Sequence, residues 1–158
     1  MDRADQKLTV RPCREADLGR ILEIEQSSFP DPYDLPIFTQ LLASEPSGFL
    51  VVERNGRVIG YIAASSRRRD ATIFSIAVEE QSKRMGAGRL LMQAELDYLS
   101  KRVERVNLQV SVRNPAAISL YRRFSFVERG RIRGYYPNGD DAIIMTLDLR
   151  AARAIRRQ

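Results

Sequence analysis

Apolar and polar positions along this chain of 158 residues alternate between the helical period and the strand period. LTVRPC (8–13) reads as a strand, and 15–27 as a helix whose inner stripe carries Leu18, Ile21, Leu22 and Ile24 or Glu25. FPDPYDLP holds three prolines in eight residues and is an irregular connection. A short helix over 37–43 precedes GFLVVERNGRVIGYIAAS, two β-rich runs around Asn55-Gly56, a strong hairpin-turn signal. ATIFSIAV (71–78) is almost wholly apolar, so a strand buried on both faces is expected.

The second half repeats the alternation. Ala87, Leu90, Leu91, Ala94 and Tyr98 share one stripe of a helix over 87–101. RVNLQVSV (105–112) then switches to period two, with Val106, Leu108, Val110 and Val112 on one face. Asn114-Pro115 is a helix start, a capping side chain followed by proline in the first turn, and that helix carries Ala117, Leu120, Tyr121 and Phe124 on one side. Strands over 126–132 and 142–149 close the chain, joined through GYYPNGDD and its Asn-Gly turn. With no repeat or linker, the expectation is one mixed α/β domain over 1–158, with a core over about 8–149 and a basic tail over 150–158.

Composition narrows the chemistry. The chain has no histidine, which removes imidazole as base, metal ligand or triad member, and no metal is expected. Proton transfer must use carboxylate, tyrosine, lysine, thiol or water. Cys13 stands alone, cannot pair internally, and fits a buried strand end in a reducing cytoplasm. No apolar run approaches the roughly 20 residues of a membrane span and the N-terminus lacks an apolar signal core, so neither membrane nor export is expected. The net charge of +6 favours anionic partners. The arginines are scattered without interleaved aromatics, which argues against specific nucleic-acid binding. The chain is expected to act as a monomer or weak homodimer.

One stretch asks for an explanation. KRMGAGRLLM (83–92) sets Gly86 and Gly88 at the mouth of a helix, with Lys83, Arg84 and Arg89 around them. The segments 71–78, 87–101 and 105–112 form a βαβ unit, which brings this loop to the C-terminal edge of its first strand. Free N–H groups and the helix dipole there attract anions, and glycine lets a phosphate approach the main chain. The competing reading is that the glycines only permit a tight turn. Arg89-Leu90 stand where a Walker A loop needs Lys-Ser/Thr, and seven residues, six of them polar, separate the strand from the first glycine, so neither nucleotide fingerprint fits.

IAV (76–78) with KRMGAG (83–88) resembles the acetyl-CoA signature Gln/Arg-x-x-Gly-x-Gly/Ala of the GNAT family of N-acetyltransferases. Lys83 takes the Gln/Arg place. NPAAISLYRRFSF (114–126) is similar to the family's second signature, with Ser125 in place of glycine. GYYPNGDDAIIM (134–145) further resembles RimI-type ribosomal-protein alanine N-acetyltransferases and related protein N-terminal acetyltransferases. The resemblance implies a splayed, mostly antiparallel sheet with a central parallel pair and helices on both faces, and acetyl-CoA as co-substrate. It implies that Ile76, Ala77 and Val78 hold the pantetheine arm, and that Lys83, Arg84, Met85, Gly86, Ala87, Gly88 and Arg89 cradle the pyrophosphate. Asn114 and Ala117 would sit beside the cofactor, Tyr121 would protonate the departing thiolate, and Phe29, Tyr33, Tyr135 and Tyr136 would line the groove for an acceptor N-terminus. Core packing for Tyr121, and hairpin packing for Tyr135 and Tyr136, are the competing readings.

One position departs from the resemblance. Where RimI-type enzymes have a glutamate base, this chain has Gln109, which can orient water but cannot take a proton at neutral pH. Glu79 and Glu80 could substitute through water, or could simply be solvated loop residues. A free α-amine, with pKa about 7.7–8.0, is roughly one-tenth neutral at pH 7, whereas a lysine near 10.4 is neutral about once in 2,500. Loss of the base is therefore more tolerable for N-terminal acceptors than for lysine. A small-molecule amine acetyltransferase and a non-catalytic acyl-CoA-binding module remain as alternatives.

Overall fold

Asn55 and Gly56 both take positive φ, 54° and 74°, and the tight turn they make folds β2 (Phe49–Arg54) onto β3 (Arg57–Arg67), as the Asn-Gly signal requires. The structure, a computed structural model, describes residues 7–151. From residue 152 onward the expected basic tail lies outside the described residues. The other strands are β1 (Leu8–Pro12), β4 (Asp70–Val78), β5 (Arg105–Ser111), β6 (Val127–Ile132) and β7 (Ala142–Asp148). They form one seven-stranded sheet in the order β1-β2-β3-β4-β5-β7-β6, antiparallel except for the pair β4–β5. This is the expected single mixed α/β domain with a central parallel pair.

Among the described residues, the sheet is covered by α1 (Leu18–Ser28), α2 (Leu35–Ser44), α3 (Ala87–Leu99) and α4 (Pro115–Arg123). The inner faces of α1 and α2, with Leu18, Ile21, Ile24, Phe38 and Leu41, pack on Phe49, Val51, Tyr61 and Ala63. On the opposite face, Leu91, Met92, Leu96 and Leu99 of α3 pack with Val106, Leu108 and Val110. Helix starts follow side-chain chemistry. Residues 15–17 form a single 3-10 turn rather than the first turn of α1, because Arg11 grips both oxygens of Asp17, and Asp17 accepts the Arg14 N–H at 2.8 Å. Asp34 accepts from the Ile37 N–H, so α2 begins two residues earlier than expected. Asn114 caps α4 through the Ala117 N–H at 3.2 Å. No described helix is long and apolar enough to cross a membrane.

β4 departs from the expectation of burial on both faces. Its burial alternates, and Phe74 is 41% exposed. The β3–β4 register shifts at Ala63/Ala64, which face Ser75 and Ile73 and leave Phe74 as an extra residue. Such a bulge bends its strand and exchanges the two faces. Ala71 and Ile73 pack toward α3, whereas Ala77 packs toward α1 and α2. The parallel pairing stops at the same point, with Ile73↔Leu108 as its last pair. From Phe74 on, β4 pairs only with β3, and from Gln109 on, β5 pairs only with β7. The sheet is split.

Glu95, on the buried side of α3, is 0% exposed, and neither carboxylate oxygen has a partner among the described residues. Burial, reinforced by the charge of Glu45, pushes its pKa up to about 9. In the unfolded chain the group ionises near the ordinary 4.5. Folding therefore retains a proton, and stability falls as pH rises from about 4.5 to about 9. Glu95→Met should melt higher than the parent at pH 8, with the gap shrinking by on the order of 3 kcal/mol by pH 5. Calorimetric scans at the two pH values check this, and a pH-independent gap would contradict it.

Candidate active site in the split of the sheet

The free edge of β4 forms one wall of the split. Glu79 donates its N–H to Ile59 O across the β3 side at 2.8 Å. Peptide groups along a strand alternate in direction, so those of Ile76 and Val78 face the split, while Ala77 turns toward β3. Both side chains pack, half-buried, against the α3 core.

The loop at the end of this wall is sharply folded. Arg84 and Gly86 are both left-handed, at φ 68° and 84°, and α3 starts at Ala87 with its first bond from Leu90 N to Gly86 O at 3.0 Å. The N–H groups of Ala87, Gly88 and Arg89 have no intrahelical acceptor, and no side chain caps the helix. The two glycines differ in what they require. Gly86 needs its positive φ, which fits the tight-turn reading. Gly88 does not: a Cβ there would meet only Leu120 Cδ2, at an ordinary 3.6 Å. Chain packing gives no reason for glycine at 88, whereas close approach of a ligand would. Lys83 pairs with Glu80 on the surface at 2.7 Å. Arg54 Nη1 lies 3.1 Å from Met85 Sδ, which adds a cation to the loop from β2. Nothing local in the sequence marks Arg54, because the fold brings it from about 30 residues away.

On the opposite wall, Gln109 is exposed on β5, one residue past the last β4–β5 pair. Asn114 spends its side-chain oxygen on the α4 cap, which leaves its amide nitrogen to donate, and Ala117 is half-buried against the core. Tyr121 is buried with its ring 6.0 Å from Phe126, and its hydroxyl has no hydrogen-bond partner among the described residues. Burial, then the neighbouring Tyr136, raises its pKa well above that of a free phenol. The helix stripe expected from sequence is real, and the hydroxyl is also unspent.

Three aromatics gather at the far end. Tyr135 and Tyr136 are perpendicular with centroids 5.1 Å apart, and Tyr33 stands edge-on to Phe38 at 6.2 Å. Burial, then Tyr135 and Tyr33, pushes the Tyr136 phenol up to about 12. Burial, then Tyr135, also raises Tyr33. The loops that carry Tyr33 and the Tyr135–Tyr136 pair are therefore near enough to influence each other electrostatically, as Tyr136 does Tyr121. Exposed Leu35 and Ile37 follow Tyr33 and were not singled out from sequence. Phe29 packs, half-buried, on the α1–α2 core. The loop after β6 is fixed by Gly134 N–H to Asp141 at 2.9 Å and by Arg113 to Asp140 at 2.7 Å.

Glu79 is not a solvated loop residue. It is buried, accepts from Ser82 Oγ at 2.7 Å, and pairs with Arg57 at 3.2 Å and with Arg20. Burial acts to raise its pKa, but Ser82 and then the two guanidiniums outweigh it, so the carboxyl stays below its ordinary range. A carboxylate so engaged is a poor proton acceptor. Glu80 is exposed and, among the described residues, paired with Lys83 alone. No group of three or more Cys, Asp or Glu side chains suited to a metal occurs among the described residues.

Residues 18–126 match the acetyltransferase (GNAT) family. The N-alpha-acetyltransferase of Sulfurisphaera tokodaii is 33% identical over 154 residues, covering 89% of this chain and 92% of that protein. The crystal structure of Ard1 from Thermoplasma volcanium has a TM-score of 0.86 to this fold at 30% identity, covering 89% of this chain and 97% of that one. The ribosomal-protein-S18-alanine N-acetyltransferase of Escherichia coli has a TM-score of 0.81 at 32% identity, over 90% and 94% of the two chains.

The Glu79 cluster makes its own prediction. A depressed carboxylate stabilises the fold above its unfolded pKa, ordinarily 4.5, and that contribution is lost as pH falls through the folded value. Glu79→Gln should cost about 1–2 kcal/mol at pH 7, since the half-buried Arg20 and the more exposed Arg57 lose their anion, and the cost should shrink toward pH 3. Urea titrations at both pH values measure it. Equal losses at both would mean that charge pairing is not the cause.

Proposed function

Since the chain belongs to the acetyltransferase (GNAT) family, we propose that it is an acetyl-CoA-dependent N-acetyltransferase whose acceptor is the N-terminal α-amine of a protein, with a ribosomal protein as the first candidate. The observation that carries this reading is the split beyond Ile73 and Leu108. It has unpaired peptide groups along one wall, an uncapped helix start at one end and a tyrosine cluster at the other. The acceptors named for the relatives from Sulfurisphaera tokodaii and Escherichia coli support the α-amine.

In this reading the peptide groups of Ile76 and Val78 hold the pantetheine arm much as a further strand would. Lys83 to Arg89 receive the pyrophosphate, with Gly88 leaving room and Arg54 adding charge. The co-substrate supplies an activated acetyl thioester. The α-amine, neutral, attacks its carbonyl carbon; the C–N bond forms, the C–S bond breaks, and Tyr121 gives its proton to the thiolate. Its raised pKa keeps Tyr121 protonated through the neutral range. Gln109 orients a water that removes the ammonium proton, a task for which Glu79 is not free. Positioning then supplies most of the rate. The tyrosine cluster and the exposed Leu35 and Ile37 receive the first residues of the acceptor.

Two measurements test the reading. Gly88→Ala should leave the melting temperature of the free protein unchanged or slightly higher, alanine being the better helix former, and should weaken acetyl-CoA binding in titration calorimetry by at least about tenfold. Unchanged affinity would remove the phosphate from this loop. With a free N-terminal peptide, kcat/KM should climb with pH through an inflection near about 8, the pKa of the α-amine, level off by about 9 and hold to about 10. Tyr121→Phe should lower kcat by about 10²-fold or more. A Phe variant with undiminished kcat would return Tyr121 to a purely packing role.

A further inference from the structure

Glu25 is 2% exposed on the inner side of α1, yet unlike Glu95 it is fully engaged. One carboxylate oxygen accepts the backbone N–H of Tyr33 at 3.2 Å. The other accepts from the Tyr61 hydroxyl on β3 and from Ser75 Oγ on β4 at 2.8 Å. The two hydroxyls also meet each other at 3.2 Å. A charge out of water is costly unless its lone pairs are occupied, and here three donors from three segments occupy them.

Two of those segments are walls of the proposed site. Pro30 and Pro32 have no N–H to donate, and Tyr33 N–H to Glu25 is the one hydrogen bond that residues 30–33 make among the described residues. The backbone of the acceptor-side loop is thus referenced to a single carboxylate. Ser75 lies directly after the bulge, in the part of β4 released from β5, beside Ile76. The same carboxylate therefore fixes the height of Tyr33 over the β4 wall.

We propose that Glu25 is a positioning residue, which sets the distance between the acceptor-side wall at Tyr33 and the thioester-side wall at Ser75 and Ile76. It touches neither reactant. This deepens the acetyltransferase reading and rests on it. A misplacement of about 1 Å between nucleophile and carbonyl can cost about 100-fold in rate. Tyr33, Tyr61 and Ser75 act through Glu25, while β4 remains paired with β3 and so keeps its own hold on the co-substrate.

The test compares Glu25→Leu with Glu25→Gln in the full chain, using a free N-terminal peptide and acetyl-CoA. In Glu25→Leu, kcat/KM for the peptide should fall about 100-fold while the calorimetric Kd for acetyl-CoA stays within about twofold. Glu25→Gln should recover to within about threefold of the parent, because its oxygen keeps the Tyr33 N–H and its amide can donate to hydroxyls that rotate to accept. A Gln variant as impaired as Leu, with a flattened pH profile, would make Glu25 a proton acceptor and overturn the proposal. A parallel loss of acetyl-CoA affinity would reduce it to general scaffolding and overturn it too. Should Glu25→Leu not fold, hydrogen exchange of the Tyr33 amide in the parent decides: protection is expected, and exchange at the rate of a free loop refutes the anchor. A parent that turns over no N-terminal peptide would sink the acceptor reading and this proposal together; an active parent with an indifferent Glu25→Leu sinks this proposal alone.

Discussion

The arrangement of the site depends on a pairing that is begun and then abandoned. β4 and β5 hold together through Ile73 and Leu108, and past that point each strand keeps its outer neighbour only. Exposed strand edges are costly if dry and invite other chains if wet. Here the free edge is short, recessed between two helical layers, and ends at a helix start with unspent donors. One extra residue at Phe74 suffices to bend β4 away. A bulge in the middle of a sheet thus produces both the space and the hydrogen-bonding groups that a linear, amide-containing ligand would need.

Three buried glutamates show how much neighbours decide. Glu79 has cations and a hydroxyl around it and stays ionised. Glu95 has no donor among the described residues and the charge of Glu45 nearby, and burial leaves it protonated. Glu25 has three neutral donors, which occupy its lone pairs and tie separate segments together. The same side chain serves as ion pair, stored proton and structural junction within one small domain. Burial alone distinguishes none of the three; the count and kind of donors does.

The tyrosines follow the same logic. Tyr33, Tyr121, Tyr135 and Tyr136 come from three places in the chain and meet at one end of the split, where low hydration raises the pKa of at least three of them. In a protein without histidine, phenols held protonated are a workable source of protons.

Much of the fold was legible because its signals are local. The Asn55-Gly56 turn, the Asn114-Pro115 cap and the period-two alternation of β5 depend on residues close in sequence, and each formed where the pattern placed it. The glycine loop was legible for the same reason, since Gly86 and Gly88 stand beside the helix they begin. What could not be read is what needs two distant segments at once. An apolar run such as 71–78 cannot announce its bulge, because a register shift exists only against a partner strand. Nor could Glu79 be told from a solvated loop residue before Arg20 and Arg57 arrived from elsewhere in the chain. Arg54 beside Met85, and Glu25 beneath Tyr33, belong to the same class. Periodicity and turn chemistry are short-range and survive in a linear string; charge compensation, strand separation and buried contacts are long-range and come into being only when the chain folds back on itself.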